Sequence, residues 1–211
     1  MKRRSAILLP GAALLAAGNG LLGYSSPAEA QLLPSRVTSR LVKGDPTSGE
    51  PFSAGPIYRG SRVRQLQIYA DRIVIGIQTT LLNWDGSTQQ FGLYGKTVAP
   101  NGNPVAPVVL NFSSGEIIKQ IDTFYGDVGL VGVEPYTDFE GGGVEGVLGL
   151  RIRTNFSSYQ QIGLFKEGSG NSQFRVPRFY EIIGFNGAFR YPGSDVGMLA
   201  AIGVVIRRVG R

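Results

Sequence analysis

Alternation of apolar and polar residues is the feature that most constrains the fold of this chain. Leu148, Leu150 and Ile152 are each followed by a glycine or an arginine, and residues 73–78 repeat the pattern. Because successive side chains of a strand point to opposite faces, this spacing predicts strands with one face buried and one in water. No segment sustains the 3.6-residue apolar period of a helix. The chain is therefore expected to be all-β.

Turn signals divide the strand-like segments at regular intervals. The chain contains 31 glycines, and Asp85-Gly86 is a dipeptide that supports the positive φ of a tight turn. Many short strands with evenly spaced turns predict a sandwich, a barrel or a prism. Residues 115–124 could form a short helix, but their strand-like neighbours favour a strand.

The N-terminus has the three parts of a signal peptide. Basic residues at positions 2–4 precede an apolar segment that Pro10 interrupts, and the small residues Ala28 and Ala30 match a cleavage site. We expect residues 1–30 to be removed, which predicts a secreted, periplasmic or cell-surface protein. The alternative, an N-terminal membrane anchor, lacks a second apolar run, so no stable membrane insertion is expected.

The mature chain is expected to have two parts. Residues 31–56 are rich in Pro, Ser, Thr, Gly and Arg without periodicity, which predicts a flexible linker or N-terminal arm. The alternative is that the end of this segment, near Phe52, adds an edge strand. Residues 57–211 are predicted to form one domain with a sizeable core.

The absence of two residue types excludes several kinds of chemistry. The chain contains no cysteine and no histidine. Catalysis by Ser-His-Asp or Cys-His groups is excluded, and a zinc or copper site is not expected. An enzyme would need a carboxylate pair, for which Glu134 and Asp138 are the candidates, but one short loop rarely opposes two acids across a cleft. We expect no enzyme activity, no cofactor and no metal.

The charge balance favours acidic partners only in a general way. The whole chain carries +6, and cleavage after Ala30 removes three basic residues and one acidic residue, which leaves +4. The basic residues form no run or stripe, so nucleic acid is not an expected partner. Acidic glycans remain compatible with this charge. Oligomer formation is left open.

Five phrases, in order along the chain, resemble the jacalin-like lectin family. They are residues 63–86, the Gly-Glu-x-Ile phrase at 115–124, Leu-Arg-Ile-Arg-Thr-Asn at 150–155, Ile-Ile-Gly-Phe-Asn-Gly at 182–187 and Leu-Ala-Ala-Ile-Gly at 199–203. The resemblance implies a β-prism, in which three antiparallel, four-stranded Greek-key sheets surround a pseudo-threefold axis. It also implies that the two ends of the chain pair in one sheet and that 63–86 is the opening strand pair.

The resemblance implies a sugar site in which one acid is missing. The family motif Gly-x-x-x-Asp falls on residues 196–200, where this chain has Val196 and Ala200. A carboxylate there would accept charge-assisted hydrogen bonds from sugar hydroxyls, and a glycine-bearing N-terminal loop would complete the pocket. We assign that loop to Gly55 and Gly60.

One acidic and one aromatic side chain could compensate for the missing aspartate. Asp195 could occupy the place of the missing aspartate while Tyr191 stacks on a sugar, although Asp195 is more typical of a turn-forming residue. The predicted ligand-binding residues are Gly55, Tyr58, Gly60, Tyr191, Gly193, Ser194, Asp195, Gly197, Met198, Leu199 and Ala200. Trp84 could be an exposed stacking platform, but a lone tryptophan beside a turn more often packs over a sheet.

The sequence thus predicts an exported carbohydrate-binding protein with a divergent sugar site. The alternative is a protein-interaction or surface-structural module that keeps the prism and has lost sugar binding.

Overall fold

The computed structural model describes residues 37–55, 60–99, 101–128, 145–164, 170–190 and 197–209. Within these ranges every regular element is a strand, and none of the described residues forms a helix that could cross a membrane. The strands are β1 Val37–Gly44, β2 Glu50–Ala54, β3 Arg62–Ala70, β4 Val74–Leu82, β5 Thr88–Gln90, β6 Tyr94–Gly95, β7 Val108–Asn111, β8 Ile118–Asp127, β9 Glu145–Thr154, β10 Ser158–Gly163, β11 Gly170–Arg175, β12 Tyr180–Arg190 and β13 Met198–Arg208.

The first sheet joins the two ends of the described chain in the order β1-β13-β12-β2. Gly44 pairs with Ala201 at one end of β1, and Ala54 of β2 pairs with Phe185. The interpretation of 31–56 as a flexible arm is therefore wrong for residues 37–54, and the edge-strand alternative at Phe52 is right. Edge strands bury few side chains, so their sequences carry a weak periodic signal.

The second and third sheets have the orders β5-β4-β3-β7 and β10-β9-β8-β11. In the second sheet, β6 also pairs with β4, so β5 and β6 together occupy one broken edge. Residues 63–86, predicted as the opening strand pair, are β3 and β4 and come after β1 and β2. All pairings are antiparallel, which confirms the predicted class, a β-prism of three antiparallel sheets. The segment 115–124 belongs mainly to strand β8 and not to a helix.

A common core connects the three sheets. Phe185 of the first sheet, Leu66 of the second and Ile121 of the third are fully buried in one cluster. Complete burial of such a side chain contributes about 1.5–3 kcal/mol each. A second, smaller cluster contains Ile75, Leu148 and Met198. These residues come from all three sheets and pack near the start of β13.

Antiparallel pairing places the connections at two opposite ends of the prism. We call one the Asp45 end, defined by the turn 45–49, the side chain of Tyr125, the end of β12 and the start of β13. The other is the Trp84 end, defined by Gly60, the turn 83–87, the entry to β8, the start of β12 and the end of β13.

Candidate functional site

The two predicted ligand loops lie at opposite ends of the prism. Gly55 follows Ala54 at the Trp84 end, where a Cβ on Gly184 would lie 2.7 Å from the Cα of Gly55. Gly60 lies against Trp84 at the same end. The start of β13 is at the Asp45 end. Along β12, Gly184 is six positions from Arg190, the partner of Met198, which corresponds to about 20 Å at the rise of a strand. The structure therefore places Gly55 and Gly60 apart from Gly197–Ala200, and the ligand role of each group stays a prediction.

A different glycine-bearing turn, 45–49, lies beside the start of β13. A Cβ on Gly44 would lie 2.2 Å from the carbonyl oxygen of Ala200, and a Cβ on Gly49 would lie 2.3 Å from that of Phe189. Gly44 also has a φ of +95°, a conformation that favours glycine. The turn is thus held directly against the main chains of β12 and β13. The spacing of these glycines around Asp45 was the sequence signal that could have identified this turn.

Asp45 supplies an ionised carboxylate at the surface of that turn. Its Oδ1 atom accepts hydrogen bonds from the main-chain N–H of Thr47 at 2.9 Å and from the Thr47 hydroxyl at 2.6 Å. The side-chain and main-chain hydrogen bonds from Thr47 lower the pKa of Asp45. Nearby, Arg190 Nε donates to the carbonyl oxygen of Ser48 at 2.9 Å, which fixes the turn to β12.

Tyr125 of the third sheet lies beneath the Asp45 end as a buried aromatic ring. The Nζ atom of Lys43 lies 5.3 Å from the centre of this ring, within the range of a cation–π contact. Burial raises the pKa of Tyr125, the negative charges of Glu145 and Asp45 also raise it, and Arg190 opposes them. The phenol is therefore neutral and lies among charged groups of both signs.

The side chains at the start of β13 are buried. Met198, Leu199 and Ala200 are each 0% exposed, and Gly197 is buried as well. These three side chains therefore pack into the protein, and the ligand role of Gly197, Met198, Leu199 and Ala200 stays a prediction. Ala200 lies at an irregularity in the β12–β13 pairing, between the partners of Ala188 and Phe189.

Five other predicted ligand residues lie outside the described residues, so their role stays a prediction. They are Tyr58, Tyr191, Gly193, Ser194 and Asp195. The candidate carboxylate pair, Glu134 and Asp138, also lies outside the described ranges.

Trp84 contradicts the expectation that it packs over a sheet. Its side chain is 75% exposed at the turn between β4 and β5. The turn resembles that of Asp45, since Asp85 Oδ1 accepts from the main-chain N–H of Ser87 at 2.9 Å and from its hydroxyl at 2.6 Å. The Ser87 hydrogen bonds likewise lower the pKa of Asp85.

The buried carboxylates of the described strands are bound by other side chains. Asp122 accepts hydrogen bonds from Gln120 at 2.6 Å and Gln173 at 3.0 Å, and it pairs with Arg151 at 2.8 Å. Groups of three or more acidic residues that could hold a metal ion are absent from the part of the chain that the structure describes. Asp122 therefore connects strands of the third sheet, which is a structural role.

Comparison with solved structures identifies many β-prism lectins. One is a mannose-binding jacalin-related lectin from Ananas comosus, 20% identical, with a TM-score of 0.58 over 82% of this chain and 98% of that one. Another is frutapin, a lectin from Artocarpus incisa, 15% identical, with a TM-score of 0.59 over 83% and 99% of the two chains. A third is the Calsepa lectin in complex with a biantennary N-glycan, 19% identical, with a TM-score of 0.58 over 83% and 99%.

Comparison of sequences identifies the family of this chain. No curated protein matches the chain. The family model of the jacalin-like lectin domain matches residues 43–205. The match begins within β1, ahead of the predicted domain start at residue 57, and includes the turn at Asp45. This protein therefore belongs to the jacalin-like lectin family, whose members are non-enzymatic carbohydrate-binding proteins.

Proposed function

We propose that this protein is exported and binds glycans at the Asp45 end without chemical conversion. The observation that carries the proposal is the close approach of Gly44 to the carbonyl of Ala200, which sets the Asp45 turn beside the strand that resembles the family's sugar-binding motif. A polar turn held against a fixed main chain is a usual component of a sugar site.

Asp45 supplies the carboxylate that the closing strand lacks. The hydrogen bonds from Thr47 both use Oδ1. Among the described residues, none engages Oδ2, so this atom is available to accept a bond from a sugar hydroxyl. Such a charge-assisted bond contributes about 1.5–3 kcal/mol. The acid would then come from the β1–β2 turn in place of β13, which is what makes the site divergent.

The proposed glycans include acidic members because of the charge of the whole chain, since the two cations and two anions at the Asp45 end balance each other. Lys43 and Arg190 lie at this end together with Asp45 and Glu145. Two cations near a sugar site can bind a carboxylate or sulfate group on the ligand. The net charge of +4 expected after export supports the same preference.

Ala200 supports a second candidate function, a module that has lost sugar binding. Its side chain is apolar and fully buried at the position that corresponds to the family's aspartate. A protein partner at the Asp45 end would then replace the glycan. Capture of that partner from the native envelope or medium would resist competition by free sugars.

The proposal is tested by glycan-array binding and calorimetry on the whole protein and its Asp45→Asn variant. Asparagine keeps the Oδ1 acceptor for Thr47 and replaces the charged Oδ2 acceptor with a neutral amide donor. We expect at least roughly tenfold weaker glycan binding, because the lost bond is charge-assisted. Asp85→Asn is the matched control, because the hydrogen bonds in its turn have the same lengths as those of Asp45. This variant should bind glycans at the Asp45 end as tightly as the original protein does.

Two outcomes would decide against the sugar site at Asp45. If the original protein binds no glycan on the array, or if Asp45→Asn binds its glycans unchanged, the proposal fails. Ala200→Asp separates the two candidates further, because a gain of mannose or galactose binding in a protein that otherwise binds none would show a degenerate site. Export is checked by mass spectrometry of the mature protein, which should begin at Gln31.

A further inference from the structure

The Trp84 end carries a groove in which the ends of all three sheets meet. The groove has a volume of about 410 Å³ and is lined by residues from both sides of the β4–β5 turn, from the entry to β8 and from β12 and β13. Its polar lining includes Arg62, Asn83, Glu181 and Arg207, and Trp84 forms one wall. The groove lies at the opposite end of the prism from Asp45 and shares no residue with that site.

Trp84 presents an open aromatic face to this groove. A tryptophan of which 75% is exposed loses the hydrophobic stabilisation of burial, so its exposure calls for an explanation. Its polar neighbours are held in place, because Ser61 Oγ donates to Asn83 Oδ1 at 2.8 Å and Asn83 Nδ2 donates to Ser87 Oγ at 3.1 Å. A flat ring at the edge of a fixed polar groove fits the apolar face and the hydroxyl edge of a pyranose ring.

The charge in the groove favours an acidic ligand. Glu181 Oε1 accepts hydrogen bonds from Arg207, so these two opposite charges compensate each other. Among the described residues, none forms a hydrogen bond or ion pair with the side chain of Arg62. The residues that line the groove therefore carry a net charge of +1, and the uncompensated cation is a guanidinium whose fork geometry matches a carboxylate or sulfate.

Two further aromatic rings extend the surface next to the groove. The exposed aromatic residues of the described chain are Trp84, Phe156 and Phe179, with 75%, 63% and 40% of their surface accessible, and all three lie at this end. Asn155 bonds to both main-chain groups of Ile117, which places the Phe156 turn next to the groove lining. Several rings at one end suit a chain of sugar residues better than a single one.

We propose that this groove is a second carbohydrate site, which takes an acidic pyranoside chain with one ring stacked on Trp84 and its anionic group bound by Arg62. The site is independent of the one proposed at Asp45.

Trp84 makes the test direct, because it is the single tryptophan of the chain. Its fluorescence reports on this groove and on no other position. We would titrate the whole protein with three tetrasaccharides: a β-1,4-linked glucose tetramer, the same tetramer oxidised to glucuronate at every C6, and a heparin tetrasaccharide. The first two differ only in their carboxylates, and the third carries sulfate groups as well. We expect the uronate or the heparin probe to change the emission at concentrations about tenfold lower than the neutral one.

Single-residue variants distinguish the contribution of ring stacking from that of charge. They also distinguish binding in this groove from binding at the Asp45 end. By calorimetry, Trp84→Ala should weaken binding of the acidic tetrasaccharide about tenfold, and Leu41→Ala, which removes another exposed apolar side chain, should not. Arg62→Gln should abolish the preference for the acidic over the neutral tetramer, and Arg40→Gln is its control. Asp45→Asn should leave the fluorescence response unchanged, so a failure of the Asp45 site does not affect this result.

Three results would overturn the proposal. One is the absence of any emission change with all three probes, and another is equal affinity for the glucose and glucuronate tetramers. The third is binding to vesicles of anionic phospholipid that depends on Trp84 when no sugar binds, since the exposed rings and arginines would then form a membrane-docking surface.

Discussion

The two ends of the prism carry nearly the same turn in different surroundings. At each end an aspartate Oδ1 accepts bonds of 2.9 and 2.6 Å from a residue two positions later, Thr47 or Ser87. The Asp45 turn is pressed against the main chains of β12 and β13, whereas a Cβ on Gly86 of the other turn would meet nothing within 4 Å. The same local chemistry therefore produces a constrained turn at one end and an open turn at the other, and the difference comes from strands far away in the sequence.

The largest expected effect is on stability, and it comes from the glycine of the tighter turn. Gly44→Ala would place a Cβ 2.2 Å from the carbonyl oxygen of Ala200, in a residue with a φ of +95°. We expect a loss of about 3 kcal/mol or more in the free energy of unfolding, since strain at positive φ and overpacking add. Chemical denaturation followed by circular dichroism measures this loss.

Gly86→Ala is the matched control for Gly44→Ala. It has a similar φ of +83° and open space around the Cβ, so it isolates the cost of the conformation, about 1 kcal/mol. Equal losses for the two variants would mean that the Asp45 turn is not held against β13, and the proposed sugar site would lose its basis.

Lowering the pH should change the stability contributed by the two ends differently, because Glu116 near the Trp84 end is buried and Asp45 is exposed. Glu116 accepts bonds from the main-chain N–H of Ser113 at 2.9 Å, Thr154 at 2.7 Å and Tyr159 at 3.1 Å. Burial alone would raise the pKa of Glu116, but these hydrogen bonds together lower it. The carboxylate therefore stabilises the fold above the pKa of an unfolded glutamate, about 4.3, and this stabilisation disappears as the pH falls through the lower folded value.

Glu116→Gln should cost about 1–3 kcal/mol at pH 7, because an amide cannot accept all three bonds and a donor faces a donor. The cost should shrink as the pH falls below about 4, where the original carboxyl is protonated too. Denaturation curves at pH 7 and at pH 3 measure the difference. A cost that is the same at both values would show that the charge of Glu116 does not contribute, and Asp45→Asn should change neither curve appreciably.

The sequence predicts the central strands well and the edges poorly, for a physical reason. Leu148, Leu150 and Ile152 are all buried as their alternation predicts, since a central strand must bury one face. Strand β1 is held by main-chain pairing with β13 and needs little apolar periodicity. Its sequence therefore resembles that of a flexible arm.

The site was harder to predict than the fold because it depends on register. The approach of Gly44 to Ala200 joins residues that are far apart in the sequence, and nothing local to either one reveals it. Gly55 and Gly60 have the expected composition and lie towards the other end of the prism. The exposure of Trp84 is a similar case, since a side chain is exposed only when no other segment covers it.

The smallest expected effect comes from the arginine that ties the Asp45 turn to β12. Arg190 Nε donates to the carbonyl of Ser48, and at the Trp84 end the guanidinium of Arg178 stacks 4.9 Å from the ring of Phe179. Arg190→Gln should cost about 1 kcal/mol in stability, since a single partly exposed hydrogen bond is lost, and Arg178→Gln about 0.5 kcal/mol.

The effects of these two variants on glycan binding should differ more than their effects on stability. Without Arg190 the turn is less restrained and a cation is lost, so glycan affinity at the Asp45 end should fall several-fold while the Trp84 emission response persists. If Arg178→Gln weakened binding at the Asp45 end as much as Arg190→Gln does, the two ends would not be separate sites.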